Sequence, residues 1–493
     1  MTTRKICLAF MAFLFVFGST YAQFTKGMNY SVEAGVDFSG GAHTPLWLNA
    51  GKYGLSSLEK NNGYLRAGIF RPFEEEKHFS YAFGLDLAGA YRFTSPFFVQ
   101  QAYIDLKLYC LGLSIGSKEH PIELKNGELS SGSMTFSNNA RPVPQIRIGI
   151  PEYVAIPGTK GFFSLKGHIA YGMFTDDSWQ KDFTRTESRY AKHVLYHSKA
   201  LYGKIGNEKR FPLVFEGGLD MAAQFGGRVY CYPGFEPYLD MPNSLKDFFK
   251  VFIPSGNDAT DGNYANVYGN HLGSWNFSLS YKFPGWKLRV YYDHFFEDHS
   301  MMFGEYGWKD CLAGMEITLP ENRFVETFVY EYLGTKDQSG PIYHDHTTDI
   351  PDQISARDNY YNHGIYPGWQ HWGQAIGNPL LTSPIYNEDG SIVFKNNRVV
   401  AHHVGLSGQS TPELRYRILF SHSRNWGTYG DPYVDVKKNT SALAEIKYSP
   451  AKLKGWQFSG SLGMDQGDLL GHSVGGMITV CKSGLLTKNN SSK

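Results

Sequence analysis

The sequence predicts an all-β chain: a closed, transmembrane antiparallel barrel of about 18 strands, with long loops at one end and a short helical insert in one of them. Three observations carry that prediction. Strictly alternating segments recur along the chain and are too long for a soluble sheet. The connections between them largely alternate short and long. Gly (54), Tyr (33) and Phe (35) are abundant over 493 residues while charged residues make up only 19%, a composition that suits a large β-structure and not a helical enzyme.

The first 22 residues read as a secretory signal peptide. Arg4 and Lys5 form a positive start, Ile6 to Gly18 an apolar core too short to span as a helix, and Ser19-Thr20-Tyr21-Ala22 the small residues before a cleavage point. The mature chain, 23–493, is expected to form the barrel. Cys7 lies inside the apolar core, too early to be a lipid-modified first residue. No later stretch approaches ~18 uninterrupted apolar residues. The formal net charge of +1 gives no global field for nucleic acid or acidic partners. Cys110, Cys231, Cys311 and Cys481 are widely and irregularly spaced, with neither a metal motif nor a disulfide framework. Unpaired thiols are the expectation and a Cys231–Cys311 bridge the alternative.

Phe79 to Phe93, FSYAFGLDLAGAYRF, shows the strand pattern most clearly. Phe79, Tyr81, Phe83, Leu85, Leu87, Tyr91 and Phe93 fall on one face, and Ser80, Ala82, Asp86, Ala88, Ala90 and Arg92 on the other. At ~3.3 Å per residue it reaches roughly 50 Å, well beyond a soluble strand. Tyr30–Phe38, Leu213–Phe225, Trp275–Phe283, Leu414–Phe420 and Trp456–Met464 repeat the scheme. Further strands are expected near Tyr64, Val99, Leu111, Gln145, Phe163, Lys287, Cys311, Arg323, Val399, Ser441 and Ser473. A weaker segment, His197–Gly206, completes an even count and restores the alternation of loop lengths. Two junctions are irregular: 94–98 is short where a long loop is expected, and 152–161 is of middling length. Lipid is the solvent that fits the aromatic face, and a closed barrel leaves no unpaired backbone in it. Both termini then lie at the short-turn, periplasmic end of a barrel in the outer membrane. A soluble sandwich or propeller fits the long strands and lopsided loops poorly. No long N-terminal plug precedes the first strand, which argues against a TonB-dependent transporter.

Several motifs bear on chemistry. Gly471-His472-Ser473-Val474-Gly475 matches G-x-S-x-G, but a nucleophile elbow needs a strand–turn–helix and an acid and His following the Ser. Here the motif opens the last strand, so it is read as coincidence and no catalytic residue is assigned. His344-Asp345-His346 and His402-His403 contain metal-ligand types without a nearby cluster. Asn257–Asn263 is oxygen-rich without the spacing of a calcium loop. Neither a metal nor a cofactor is expected.

Two loops are informative. In 239–253, Asn243 or Ser244 can cap a short helix over 243–253 that places Leu245, Phe248, Phe249 and Phe252 on one side. Such a helix is expected to fold inward or pack on the rim, giving an occluded barrel and not an open pore. In the longest loop, Tyr360, Tyr361, Tyr366, Trp369 and Trp372 crowd together with His371 among them. Flat aromatic faces beside imidazole and amide groups can stack on sugar rings and bond their hydroxyls. The same residues can equally form the loop's own small core, and the two readings are not exclusive.

At these loops the chain resembles a known family. Asn126–Tyr153 (NGELSSGSMTFSNNARPVPQIRIGIPEY), Gly269–Tyr281 and His363–Leu380 (HGIYPGWQHWGQAIGNPL) are similar to the Wzi-type capsule-assembly proteins of Gram-negative outer membranes. The resemblance runs over nearly the whole mature chain. It implies an eighteen-stranded outer-membrane barrel, agreeing with the count above, and a lectin-like protein, not an enzyme, that attaches and organises capsular polysaccharide at the cell surface. It makes Arg141 a candidate polar contact to that polysaccharide, with a barrel-interior salt bridge as the alternative. The other partners expected are outer-membrane lipid and, during assembly, the barrel-insertion machinery. The chain departs from many barrels by ending without a terminal aromatic residue. The competing function is a diffusion channel for small solutes or oligosaccharides, which rests on the charged lumen face.

Overall fold

The computed structural model describes residues 27–74, 77–185, 188–252, 269–297, 301–302, 308–320, 322, 324–338 and 358–486. The signal peptide 1–22, His344–His346 and Asn257–Asn263 lie outside the described residues.

Eighteen long strands form one sheet. In chain order they are β1 Asn29–Gly41, β2 Gly63–Arg71, β3 Phe79–Tyr91, β4 Phe97–Leu108, β5 Leu111–Ser117 and β6 Gln145–Ala155. Then come β7 Phe163–Met173, β8 Leu195–Ile205, β9 Leu213–Phe225, β10 Asn270–Phe283, β11 Trp286–Glu297 and β12 Cys311–Thr318. The last six are β13 Thr327–Gly334, β14 Val399–Thr411, β15 Leu414–Gly427, β16 Pro432–Tyr448, β17 Trp456–Gly467 and β18 Gly471–Leu485. Each pairs antiparallel with its chain neighbours, and β1 pairs with β18 from Asn29↔Leu485 to Gly41↔Ser473. The sheet therefore closes without a free edge, as a strand structure in lipid must. Every strand expected from the sequence is present, the weak one included.

The alternation sorts the two faces. On β3, Phe79, Leu85 and Tyr91 are 57%, 47% and 64% exposed on the outside, while Asp86 and Ala88 are buried within. The two irregular junctions have local causes. β6 continues to Ala155 through a register shift between Ile150 and Val154, which shortens the following turn. The β3–β4 connection is a tight corner at the long-loop end, with Arg92 at φ +59°.

Three long connections fill the lumen at that end. The β1–β2 connection carries α1 (Leu46–Asn49), whose Leu46 amide donates to Asp465 Oδ2 (2.8 Å) and whose Trp47 Nε1 donates to Ser421 Oγ (3.2 Å). Leu48 rests against β17 at Gly463, where a Cβ would stand 2.8 Å from the leucine Cγ, so that glycine permits a close approach. The 118–144 and 358–398 connections occupy the rest.

The β7–β8 connection holds α2 (Asp177–Phe183), and the β9–β10 connection holds α3 (Leu245–Phe252), within the helix expected over 243–253. Ser244 and Asp247 form its first turn, with Ser244 N and Oγ donating to Asp247 Oδ2 at 2.7 and 2.6 Å. Its position corrects the expectation. Phe248 packs on Tyr171 and Phe225, and Phe252 on His197; all three partners share the lipid-facing register of β7, β8 and β9. The helix therefore lies against the outside of the wall. Its four large apolar residues share one side of the helix, as their i, i+3, i+4, i+7 spacing requires: Phe248 and Phe252 face the barrel, and Leu245 and Phe249 beside them are 82% and 76% exposed. The occlusion expected of this helix is supplied by the other loops.

Candidate functional site: occluding loops and an aromatic turn

The Ser130-Ser131-Gly132-Ser133 stretch is a set of donors aimed at two lumenal carboxylates. Glu331 on β13 accepts from Ser130 Oγ (2.5 Å), Ser131 N (2.7 Å), Ser131 Oγ (2.6 Å) and Tyr291 Oη (2.6 Å). Asp293 on β11 accepts from Ser133 Oγ (2.8 Å) and Met134 N (3.0 Å), and its Oδ2 pairs with Lys125 Nζ at 2.9 Å. Lys125 also donates to Ser133 Oγ and Asn276 Oδ1, each at 3.1 Å. Buried charges survive when paired and hydrogen-bonded, and here they pin the loop across the lumen.

The second motif locks onto the first. Asn378, of Ile376-Gly377-Asn378-Pro379, donates from Nδ2 to Gly132 O (3.0 Å) and Ser131 Oγ (3.3 Å). Its amide donates to Tyr361 Oη (2.9 Å), which itself donates to Met134 O. Trp369 Nε1 donates to Thr135 O (2.9 Å), and Asn139 Nδ2 to Ala375 O (3.0 Å).

Of the seven residues proposed to touch sugar, Tyr360, Tyr361, Tyr366, Trp369 and His371 are fully buried, and Arg141 is 5% exposed. The tyrosine hydroxyls are already engaged: Tyr360 donates to Asp310 Oδ2 (3.1 Å) and Tyr366 to Gly226 O (3.0 Å). These aromatics form the core of the loop, with Trp369 stacked on Tyr196 and Tyr360 edge-on to Phe295. Trp372 differs: it is half-buried. It sits at the tip of a two-residue hairpin between Gln370–His371 and Gln374–Ala375, with φ +55° at Trp372 and +81° at Gly373. Positive φ at both central residues is the type I′ geometry, and a tryptophan there needs support. Asp176 supplies it, its Oδ2 accepting from Trp372 N (3.1 Å) and Gln370 Nε2 (3.0 Å).

Arg141 stacks between two rings, its guanidinium carbon 3.9 Å from the Phe98 centroid and 4.4 Å from that of Trp372. Among the described residues no carboxylate lies within ion-pair distance of it, and its Nη2 reaches Thr94 Oγ1 at 3.4 Å. Burial pulls its pKa down to about 10, opposed by Asp176, so it stays charged at neutral pH. His371 ties the pieces together: Nδ1 donates to Arg141 O (2.8 Å) and Nε2 accepts from Thr175 N (3.2 Å). Phe98, Thr175 and Asp176 are the members of this cluster that the sequence did not single out. Thr94, Thr175 and Asp176 all lie in connections at the long-loop end, which puts the indole at that rim.

Both loop histidines act as acceptors for backbone amides. His363 Nδ1 accepts from Ile365 N (3.1 Å) and Tyr366 N (3.2 Å). Burial, with Arg189 nearby, lowers its pKa to about 3, and burial lowers that of His371. A folded-state pKa below the unfolded ~6.5 means the unfolded loop binds the proton better, so stability is full above that value and falls as pH drops through it. Each such histidine costs up to ~1.4 kcal/mol per pH unit below it. Residues 360–380 are expected to exchange amide hydrogens faster near pH 5 than near pH 7.5, after correction for intrinsic rates, while the strands stay protected. Equal protection at the two pH values would refute this.

The remaining motifs resolve locally. Ser473 is buried in β18 and accepts from His43 N (3.1 Å), while both His43 ring nitrogens meet carbonyls, of Thr44 (2.8 Å) and Leu470 (2.7 Å). The motif thus has strand, not strand–turn–helix, context. His402 and His403 alternate across the wall, one bonding Tyr330 outside (2.8 Å) and the other Leu129 O inside (2.8 Å), so they cannot share an ion. Among the described residues no group of three His, Cys, Asp or Glu side chains could hold a metal. Cys110, Cys231, Cys311 and Cys481 are all free thiols. Below the plug a cavity of about 480 Å³ remains, lined by Arg147, Lys166, His168 and Tyr202 and reaching Phe73 and Pro151 near the short turns.

A family model described as Capsule assembly protein Wzi matches residues 50–380, a span that holds both interlocking motifs. The chain belongs to the Wzi family of capsule assembly proteins. No curated protein matches it at a significant level. Solved structures similar to this Wzi-family chain include OccAB2 of Acinetobacter baumannii, at 10% identity and TM-score 0.46 over 94% of this chain and 99% of that one. OpdQ of Pseudomonas aeruginosa is similar at 8% identity and TM-score 0.46, over 93% of this chain and 99% of that one. Closed barrel, lipid-facing wall and family together make this a capsule-assembly protein of the outer membrane.

Proposed function

We propose that the protein is a lectin-like attachment point for capsular polysaccharide, with the short-turn end and both termini in the periplasm and the plugged end at the cell surface. The observation that carries this reading is the Trp372 turn. One half-buried indole is held at the rim by Asp176 and backed by Arg141 and Phe98, on a plug fixed to the wall. A rigid aromatic surface beside a charged donor suits a sugar ring, because little ordering is lost on binding. The protein works by binding, and no catalytic residue is assigned. The five buried aromatics support the turn from below.

The test is direct binding of purified, lipid-reconstituted protein to capsular polysaccharide from the same strain. Saturable binding, competed by fragments of that polymer and not by an unrelated glucan, is expected. Its absence would remove the lectin reading. A diffusion channel is the second reading, favoured by the 480 Å³ cavity below the plug.

A further inference from the structure

We infer that α3 (Leu245–Phe252) is an interfacial anchor that lies in the plane of the outer leaflet, inserting Leu245 and Phe249 at the boundary between acyl chains and headgroups. Three features of the wall carry this. First, the helix is fastened to lipid-facing positions of the barrel. Tyr171 Oη donates to Phe248 O (2.9 Å), and Lys199 Nζ donates to Phe252 O at the helix C-terminus, where carbonyls lack intrahelical partners.

Second, the outward row of β8 is polar only under the helix. His197 and Lys199 occupy it there, whereas Leu201 and Ile205 below are 61% and 40% exposed. A lysine on the lipid face is costly at mid-membrane and cheap near the interface, so this row marks the edge of the hydrocarbon. The height agrees: from Phe163 to Tyr171 at ~3.3 Å per residue and ~45° tilt is roughly 20 Å, close to the ~25 Å apolar band of such barrels.

Third, the exposed side of the helix is amphipathic in the sense an interface requires. Leu245 and Phe249 lie next to the wall-packed sector, continuous with the lipid-facing surface, and Lys246 and Lys250 occupy the sector beyond. The neighbouring wall carries Trp308, 41% exposed and stacked on outward-facing His294, which extends the same aromatic level. The occupant is the lipid surface itself: acyl chains against Leu245 and Phe249, and anionic headgroups towards the lysines.

The test places a nitroxide label at Phe249→Cys, and separately at Leu245→Cys. The background carries Ser at Cys110, Cys231, Cys311 and Cys481, and heat-modifiable migration reports the folded barrel. In phosphatidylethanolamine–phosphatidylglycerol vesicles, collision with oxygen should exceed collision with a water-soluble nickel chelate at both sites, as at Leu279→Cys on the wall. The order should reverse at Lys246→Cys. Nickel exceeding oxygen at Phe249 and Leu245 would place them in water and overturn the inference. Low collision with both reagents would show protein covering them, and would overturn it equally.

Discussion

Replacing Asp293 and Glu331 together by Ala is expected to turn a closed barrel into a conducting one. Glu331 alone takes four donors from the plug and the wall, and Asp293 is the counter-charge of buried Lys125. Removing one partner of a buried pair costs about 3–5 kcal/mol because the other charge is left uncompensated. The double variant also strips the hydroxyls of Ser130, Ser131 and Ser133 of their acceptors. The strands are bonded edge to edge around the whole barrel and do not depend on those groups. Planar-bilayer recording should therefore find the native protein silent and the variant conducting in bursts. A large, steady native conductance would contradict the plug and favour the channel reading.

The second large effect separates two tryptophans. Trp372→Ala should weaken polysaccharide binding by about 30-fold, the loss of a ~2 kcal/mol hot spot, and leave the melting of the barrel and plug unchanged. Trp369→Ala should act the other way round. Its ring is fully buried and its Nε1 holds Thr135 O, so truncation costs about 3–5 kcal/mol of local stability and loosens the whole loop. Loss of binding in Trp372→Ala with normal plug protection would locate the contact. Unchanged binding in that variant would move the site away from the turn.

The eighteen strands were legible because lipid on one side and a polar lumen on the other impose a period of two on every span. The weakest, β8, looked poor for a reason visible only in the fold: His197 and Lys199 break its apolar face where α3 covers it. The helix itself was legible from its spacing and from the capping candidates Asn243 and Ser244, but periodicity says only that a face is apolar, not which surface covers it. The aromatic loop was ambiguous for a deeper reason. Core packing and sugar stacking use the same side chains, and the distinction lies in what the polar tips bond, as Tyr366 to Gly226 and Trp369 to Thr135 show. The two motif stretches that carried the family resemblance lie far apart in the chain, so their interlock through Asn378 and Ser131 could not be read from either alone. Asp176 gave no signal, because a loop aspartate, here one of the pair Asp176-Asp177, looks the same whether it holds a turn or faces water.

The most direct measurement uses a clean deletion strain and compares capsule attached to cells with capsule released into the medium. If the protein anchors the polymer, total polysaccharide should be unchanged and most of it should move into the medium. Complementation should restore attachment with the native chain and fail with Trp372→Ala. Attachment that survives the deletion intact would contradict the account.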